Sequence, residues 1–309
     1  MKRFFIFNLF YIILFTNFNI AYSISPDVFI QSTVNRASQI LSENISKEEK
    51  MNKLKIIANY GAGFNNIDVT YASKRGVWVT NTPNVLHETT ADLTWAMILG
   101  TARRIISADR YTREGKFQGW GAKLFLGGDI YEKTLGIVGL GEIGQSVARR
   151  AIGFNMRTLY HQRKRLPEGE EKKLNVEYAT FEKILRESDF LTLHVPLTDK
   201  TEYMISNDEL ALMKKTAYLI HTSRGKVVDD YALVAALKEG RLAGAALDVY
   251  EDEPQITEGM AELSNLMLLP HIGSASFETR DKMALLVAEN VLDALSGKTP
   301  RSLVPSYPQ

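Results

Sequence analysis

Cysteine is absent from the 309 residues. That excludes disulfides, thiolate metal sites and a cysteine nucleophile, and it leaves the compartment open. An excess of one charge is missing too: 37 Lys and Arg stand against 36 Asp and Glu, a formal net charge of +1. This balance offers no electrostatic footing for nucleic acid, and none is expected as a partner. There is no internal repeat, low-complexity tract or long linker. What is present is 45% apolar and 24% charged, in a chain long enough for two domains and a sizeable core.

The N-terminus stands apart. Lys2 and Arg3 precede a nearly apolar run from Phe4 to Phe15, and Ala21-Tyr22-Ser23 follows with the small-residue spacing of a cleavage site. The layout fits a secretory signal, and Asn8 and Asn17 interrupt it too soon for a membrane-spanning helix.

Further on, Leu54–Tyr60 predicts a buried parallel strand ending at Gly61 and Gly63, and Val77–Thr80 predicts a second. One long helix is expected from about Val85 to Arg113. From Thr134 the texture becomes βαβα. Strands are expected at Leu135–Gly139, Arg157–His161, Phe190–Val195, Ala217–His221, Gly244–Val249 and Leu266–Leu269. Helices are expected at Gln145–Gly153, Phe181–Glu187, Asp208–Met213, Asp230–Glu239 and Phe277–Leu295. This alternation predicts an α/β fold with a parallel sheet covered on both faces.

Gly139-Leu140-Gly141-Glu142-Ile143-Gly144 is a GxGxxG between a strand and a helix. Alone the motif could be a plain glycine turn. In this setting it predicts a Rossmann pyrophosphate site, with the helix N-terminus facing the phosphates. Roughly twenty residues on, an NAD enzyme places a carboxylate for the ribose 2′-hydroxyl. Here the chain reads Gln162-Arg163-Lys164-Arg165. A solvated charged loop is the bland reading. Three cations without an acid instead favour a 2′-phosphate, so NADP(H) is expected, with NAD possible.

Reduction of a carbonyl by a nicotinamide needs a cation for the substrate, a proton donor, and a partner that tunes the donor. Three successive strand ends offer Arg224, Glu253 and His271. Each alone reads as a surface charge or a structural histidine.

Several separated motifs appear together: Asn59–Asp68, Thr80-Asn81-Thr82-Pro83, Thr90-Ala91-Asp92, the glycine loop, His194–Thr198, Thr222-Ser223-Arg224-Gly225, Ala246–Val249 with Glu253-Pro254, and Pro270-His271-Ile272-Gly273. In this order and spacing the chain resembles the D-isomer-specific 2-hydroxyacid dehydrogenases, and among them the glyoxylate/hydroxypyruvate reductases. The resemblance implies that His271 is the acid/base, that Glu253 orients it and favours its protonated form, and that Arg224 clamps the substrate carboxylate. It implies that Ala62 and Gly63 hold substrate through backbone amides. Thr90, Thr222, Ser223, Asp248 and Gly273 are implied around the cofactor, with Gln162, Arg163 and Lys164 at the adenosine phosphate.

The implied fold is a Rossmann-type doubly wound cofactor domain over 102–274, beside a smaller flavodoxin-like substrate domain. The substrate domain would be built from 26–101 and a C-terminal helix within 275–309. A homodimer is implied, with the long helix at the interface. Two departures stand out. His221 replaces the family's usual Asn, which reads as a tolerated change. The leading strand and helix of the substrate domain are missing, so that domain reads as truncated, with 1–25 unlike the family. A misassigned start is the favoured explanation, ahead of a substitute strand or an exported variant, and a cytoplasmic location is expected. The expected activity is NADPH-dependent reduction of glyoxylate to glycolate and hydroxypyruvate to D-glycerate. A cofactor-sensing corepressor or an inactive remnant are the competing readings.

Overall fold

The structure is a computed structural model and describes residues 54–305. The signal-like segment 1–25 and the start of the expected substrate domain lie outside the described residues. The chain divides into two units, one taking in residues to Thr82 and from Arg280 onward, the other Pro83–Thr279.

In the first unit β1 (Ile56–Ala58) pairs in parallel with β2 (Trp78–Thr80), Ile57 opposite Val79. Between them lies α1 (Val69–Ser73), whose Asp68 cap accepts from the Tyr71 amide at 2.8 Å. Strand β1 is half-buried, where its apolar run predicted full burial. Val69, Ala72, Val77, Val79 and Val304 form the local core. Val304 donates its amide to the Val79 carbonyl at 3.0 Å, so the C-terminal tail is laid along β2.

The second unit opens with α2 (His87–Ala102) and α3 (Ile105–Arg113). These replace the single helix expected over Val85–Arg113. The break falls at Arg104, which adopts a left-handed φ of 55°. Helix α2 is packed, whereas no residue of α3 is buried. No glycine or proline marks the break, so the periodic pattern runs through it unannounced.

Then come β3 (Thr134–Val138), α4 (Glu142–Ala151), β4 (Arg157–His161), α5 (Glu168–Leu174), β5 (Val176–Tyr178), α6 (Phe181–Glu187) and β6 (Phe190–Leu193). After these follow α7 (Asn207–Leu212), β7 (Tyr218–His221), α8 (Asp230–Lys238), β8 (Gly244–Leu247) and β9 (Leu266–Leu268). All seven strands are parallel, in the order β5-β4-β3-β6-β7-β8-β9. Alternate side chains enter opposite cores, as the period of two demands. Leu219 and Ala245 pack with α6, α7 and α8, while Ile220 and Ala246 pack with α2 and α4. The order reverses between β3 and β6, and ligands of such sheets bind outside the strand ends at that switch. The last helix, α9 (Phe277–Leu295), carries the chain into the first unit. Among the described residues no helix is long and apolar enough to cross a membrane.

Candidate active site

The loops that leave β7, β8 and β9 hold Arg224, Glu253 and His271. The β8 loop folds back on itself: the Tyr250 amide donates to Glu253 Oε1 at 3.0 Å. The Tyr250 hydroxyl donates to the Leu269 carbonyl at 2.7 Å, which ties this loop to the β9 end. Glu253 Oε2 then lies 2.8 Å from His271 Nδ1. Facing a carboxylate, Nδ1 carries the hydrogen, and Nε2 is left for another partner. His271 follows Pro270 with a φ of 54°, a conformation non-glycine residues adopt at a cost. The amide of Ile272 donates to Asp248 Oδ1 at 2.8 Å and holds that turn. Asp248 is buried, and burial pushes its carboxyl up, against the pull of the Ile272 amide and the His271 ring.

Arg224 is half-buried after β7, and its Nη1 donates to the Ser223 carbonyl at 2.6 Å. Burial pulls its guanidinium down, and the nearby Glu253 carboxylate pulls it up. Beneath it His221 is fully buried, with Nε2 donating to the Arg224 carbonyl at 2.9 Å and Nδ1 3.3 Å from the Ser223 hydroxyl. The residue expected to be only a tolerated change thus braces the backbone of the arginine. Burial holds His221 down to about 4, with the Arg224 carbonyl opposing. His194, at the end of β6, is held down to about 3 by burial and by His221, and neither of its ring nitrogens has a partner among the described residues. A methyl group on Gly225 would stand 1.7 Å from the Tyr250 carbonyl oxygen, so the β7 and β8 loops touch backbone to backbone.

At the switch point, Gly139 turns with a φ of 93°, and a Cβ there would lie 2.6 Å from the His194 carbonyl. A Cβ on Gly144 would lie 2.2 Å from the Gly139 carbonyl. Both positions therefore require glycine for the strand, turn and helix to close. The space over Gly141 is open, and Gly141 caps α4 ahead of Glu142 and Ile143. The Leu140 amide is bonded to Gln162 Oε1 at 3.3 Å, and Gln162 Nε2 to the Lys164 carbonyl at 2.7 Å. Arg165 parts from its neighbours. It is ion-paired at 2.8 Å to the buried Glu171, which also accepts from the Tyr160 hydroxyl at 2.6 Å. Those two partners hold the Glu171 carboxyl down to about 2. Arg163 and Lys164 are exposed, with no ion pair among the described residues. An open glycine turn at a helix N-terminus, with exposed cations beside it, fits the pyrophosphate of a nicotinamide dinucleotide.

Thr222 lies 3.4 Å from Thr94 between their hydroxyls, with Ser223 buried beside it. Thr90, Asp248 and Gly273 meet, with Asp248 Oδ2 3.3 Å and Thr90 Cγ2 3.6 Å from where a Gly273 Cβ would be. In the other unit, the loop at Ala62 and Gly63 has its carbonyls turned to Asn81 Nδ2 at 2.7 Å and Asn59 Nδ2 at 2.8 Å. Sequence reasoning gave His194 no role beyond its motif, took His221 for a tolerated change, and passed over Glu171 and Asp230. The two acids signalled themselves only as titratable residues in a first helical turn, which is too common to select them. Among the described residues no cluster of acidic and histidine side chains could hold a metal.

The sheet order with its glycine turn defines a dinucleotide-binding domain of the dehydrogenase type. Residues 95–273 match the family described as D-isomer specific 2-hydroxyacid dehydrogenase, NAD binding domain. The chain belongs to that family. A glyoxylate reductase of Thermococcus kodakarensis is 53% identical over 271 residues, covering 86% of this chain and 81% of that one. The crystal structure of the TT0316 protein from Thermus thermophilus is 42% identical with a TM-score of 0.78, over 83% of this chain and 81% of that one. An NADPH-dependent glyoxylate/hydroxypyruvate reductase from Sinorhizobium meliloti, solved with NADP and malonate, is 35% identical with a TM-score of 0.77, over 84% and 81%. The protein is therefore an oxidoreductase of small 2-oxo or 2-hydroxy acids that uses a nicotinamide cofactor.

Proposed function

We propose that this protein reduces glyoxylate and hydroxypyruvate to glycolate and D-glycerate, with NADPH preferred over NADH. The observation that carries the reading is the 2.8 Å contact of His271 Nδ1 with Glu253, beside Arg224. A bound NADPH would supply the hydride. Arg224 takes the substrate carboxylate and draws the carbonyl oxygen toward positive charge. His271 Nε2 gives that oxygen a proton, while Glu253 accepts from Nδ1 and fixes the orientation of the ring. Ala62 and Gly63 offer backbone amides to the substrate. Gly139 to Gly144 and the first turn of α4 take the pyrophosphate, with Thr222, Ser223 and Asp248 around the nicotinamide and Thr90 and Gly273 also at the cofactor. Gln162, Arg163 and Lys164 take the adenosine 2′-phosphate. The Sinorhizobium reductase, crystallised with NADP, supports the cofactor reading.

The working form is a homodimer. Ile105, Ile106, Phe117, Trp120, Leu124 and Leu126 are exposed on and after α3, apolar surface that a second copy would cover. The cytoplasm, which supplies NADPH, is the proposed location. Purified protein mixed with glyoxylate or hydroxypyruvate should oxidise NADPH rapidly and NADH poorly. A soluble, NADPH-binding protein without turnover would overturn the reading.

A further inference from the structure

The side chain that orients His271 sits on a loop, and a loop holds a side chain only as well as it is itself held. The β8 loop is fastened on both sides of Glu253, and both fastenings use one atom. Asp230 Oδ2 accepts from the Glu251 amide at 3.1 Å and from the Thr257 hydroxyl at 3.0 Å. Asp230 is wholly buried in the first turn of α8. That helix is a fixed post: Asp229 caps it by accepting from the Ala232 amide at 2.9 Å, and Leu233, Ala236 and Leu237 lie in the core. The Tyr203 hydroxyl donates to the Glu251 carboxylate and braces the same stretch.

A carboxyl in the first turn of a helix normally faces water, as Glu182 does in α6. Asp230 instead accepts the cost of burial. Burial pushes its carboxyl up to about 6, the Glu251 and Asp229 carboxylates add to this, and the Glu251 amide and Thr257 hydroxyl oppose it. Its Oδ1 has no partner among the described residues. Both hydrogen bonds it makes go to the loop that carries Glu253, and neither goes to its own helix.

We propose that Asp230 is a positioning residue for the reaction, anchoring Glu251 and Thr257 so that Glu253 meets His271. The inference rests on the reading of Glu253 and His271 as an acid/base pair. Asp230 acts through the loop and touches neither His271 nor the substrate.

The test compares Asp230→Ala, Asp230→Asn and Thr257→Val with Glu253→Gln, reading kcat, KM and the pH profile of reduction. Asn keeps an oxygen to accept both bonds; Ala keeps none. Asp230→Ala should lower kcat by about 10- to 10²-fold, the scale on which a small misplacement acts, with the KM of the 2-oxo acid little changed. It should also move the pH profile in the same sense as Glu253→Gln. Asp230→Asn should restore both the rate and the profile. Thr257→Val, which removes one bond and keeps the volume, should shift the profile in the same sense by less. If Asp230→Ala does not fold, Thr257→Val decides, and an unmoved profile overturns the proposal. Folded Asp230→Ala with the wild-type profile overturns it, as does equal damage from Ala and Asn. If Glu253→Gln itself leaves the profile unmoved, the acid/base reading fails and takes this proposal with it. A shift in Glu253→Gln alone removes only the role of Asp230.

Discussion

Glu253 Oε2 stands 2.8 Å from His271 Nδ1, and Glu253 Oε1 is at the same time 3.0 Å from the amide of Tyr250. One carboxylate thus grips its own loop and the imidazole together, so its orientation is set before any substrate arrives. Replacing it with Gln keeps the shape but removes the carboxylate charge beside the ring. Glu253→Gln should lower kcat about 10²-fold, within the range ascribed to general acid–base catalysis, and the pH profile of reduction should move. Steady-state rates between about pH 5 and 9 check this, and a variant with the wild-type profile would remove Glu253 from the mechanism.

Arg224 presents a planar fork where lysine would present a point charge. Arg224→Lys should forfeit one charge-assisted hydrogen bond, about 1.5–3 kcal/mol, and most of that loss should appear as a higher KM for the 2-oxo acid. NADPH affinity, measured by fluorescence titration without substrate, should stay as it is. A loss confined to NADPH binding would mean that the arginine serves the cofactor instead.

Arg163 has no ion pair among the described residues, whereas Arg165 is taken up by Glu171. Arg163→Glu should therefore weaken NADPH by about 10²-fold through a lost charge-assisted bond and an added repulsion, and leave NADH within about threefold. Arg165→Gln should act mainly on stability. Parallel dissociation constants for the two cofactors decide, and equal weakening of both by Arg163→Glu would refute a 2′-phosphate contact.

His194 and His221 add a pH dependence to folding. In the folded chain they are held down to about 3 and about 4, against a usual value of 6.5. Below pH 6.5 the unfolded chain binds protons that the folded chain refuses, so stability falls as pH drops, until the folded values are reached. The slope approaches ~1.4 kcal/mol per pH unit for each histidine. Urea midpoints at about pH 7, 6 and 5 should show the decline, and His221→Asn should make it shallower by one site. An identical slope in the variant would mean that His221 titrates like an exposed histidine.

The cofactor half was legible because its determinants are local. A strand, a glycine turn whose close contacts forbid side chains, and a helix follow one another within Leu135–Ala151. Arg224, Glu253 and His271 were singled out by their places at successive strand ends, and of these His271 and Glu253 meet in the structure. Other features needed coordinates. The break at Arg104 lacks any helix-breaking residue, so periodicity ran through it. Strand β5 is three residues long at the sheet edge and follows the mostly polar α5, and neither carries a strong pattern. Asp230 stood only as the first residue of an expected helix, because the amide and hydroxyl it binds lie 21 and 27 residues away. Arg165 read as one of three like cations, since its acidic partner lies six residues further on.

The contact of Gly225 with the Tyr250 carbonyl has a consequence for anyone who would retrain this enzyme. The stretch with Arg224 and the stretch with Glu253 are pressed together at Gly225 without a side chain between them. Swapping one alone for a foreign version would pit two mismatched backbones against each other. Altered substrate range is best sought by transplanting Thr222–Val227 and Asp248–Thr257 as one cassette, or by varying the chain elsewhere and leaving that seam whole.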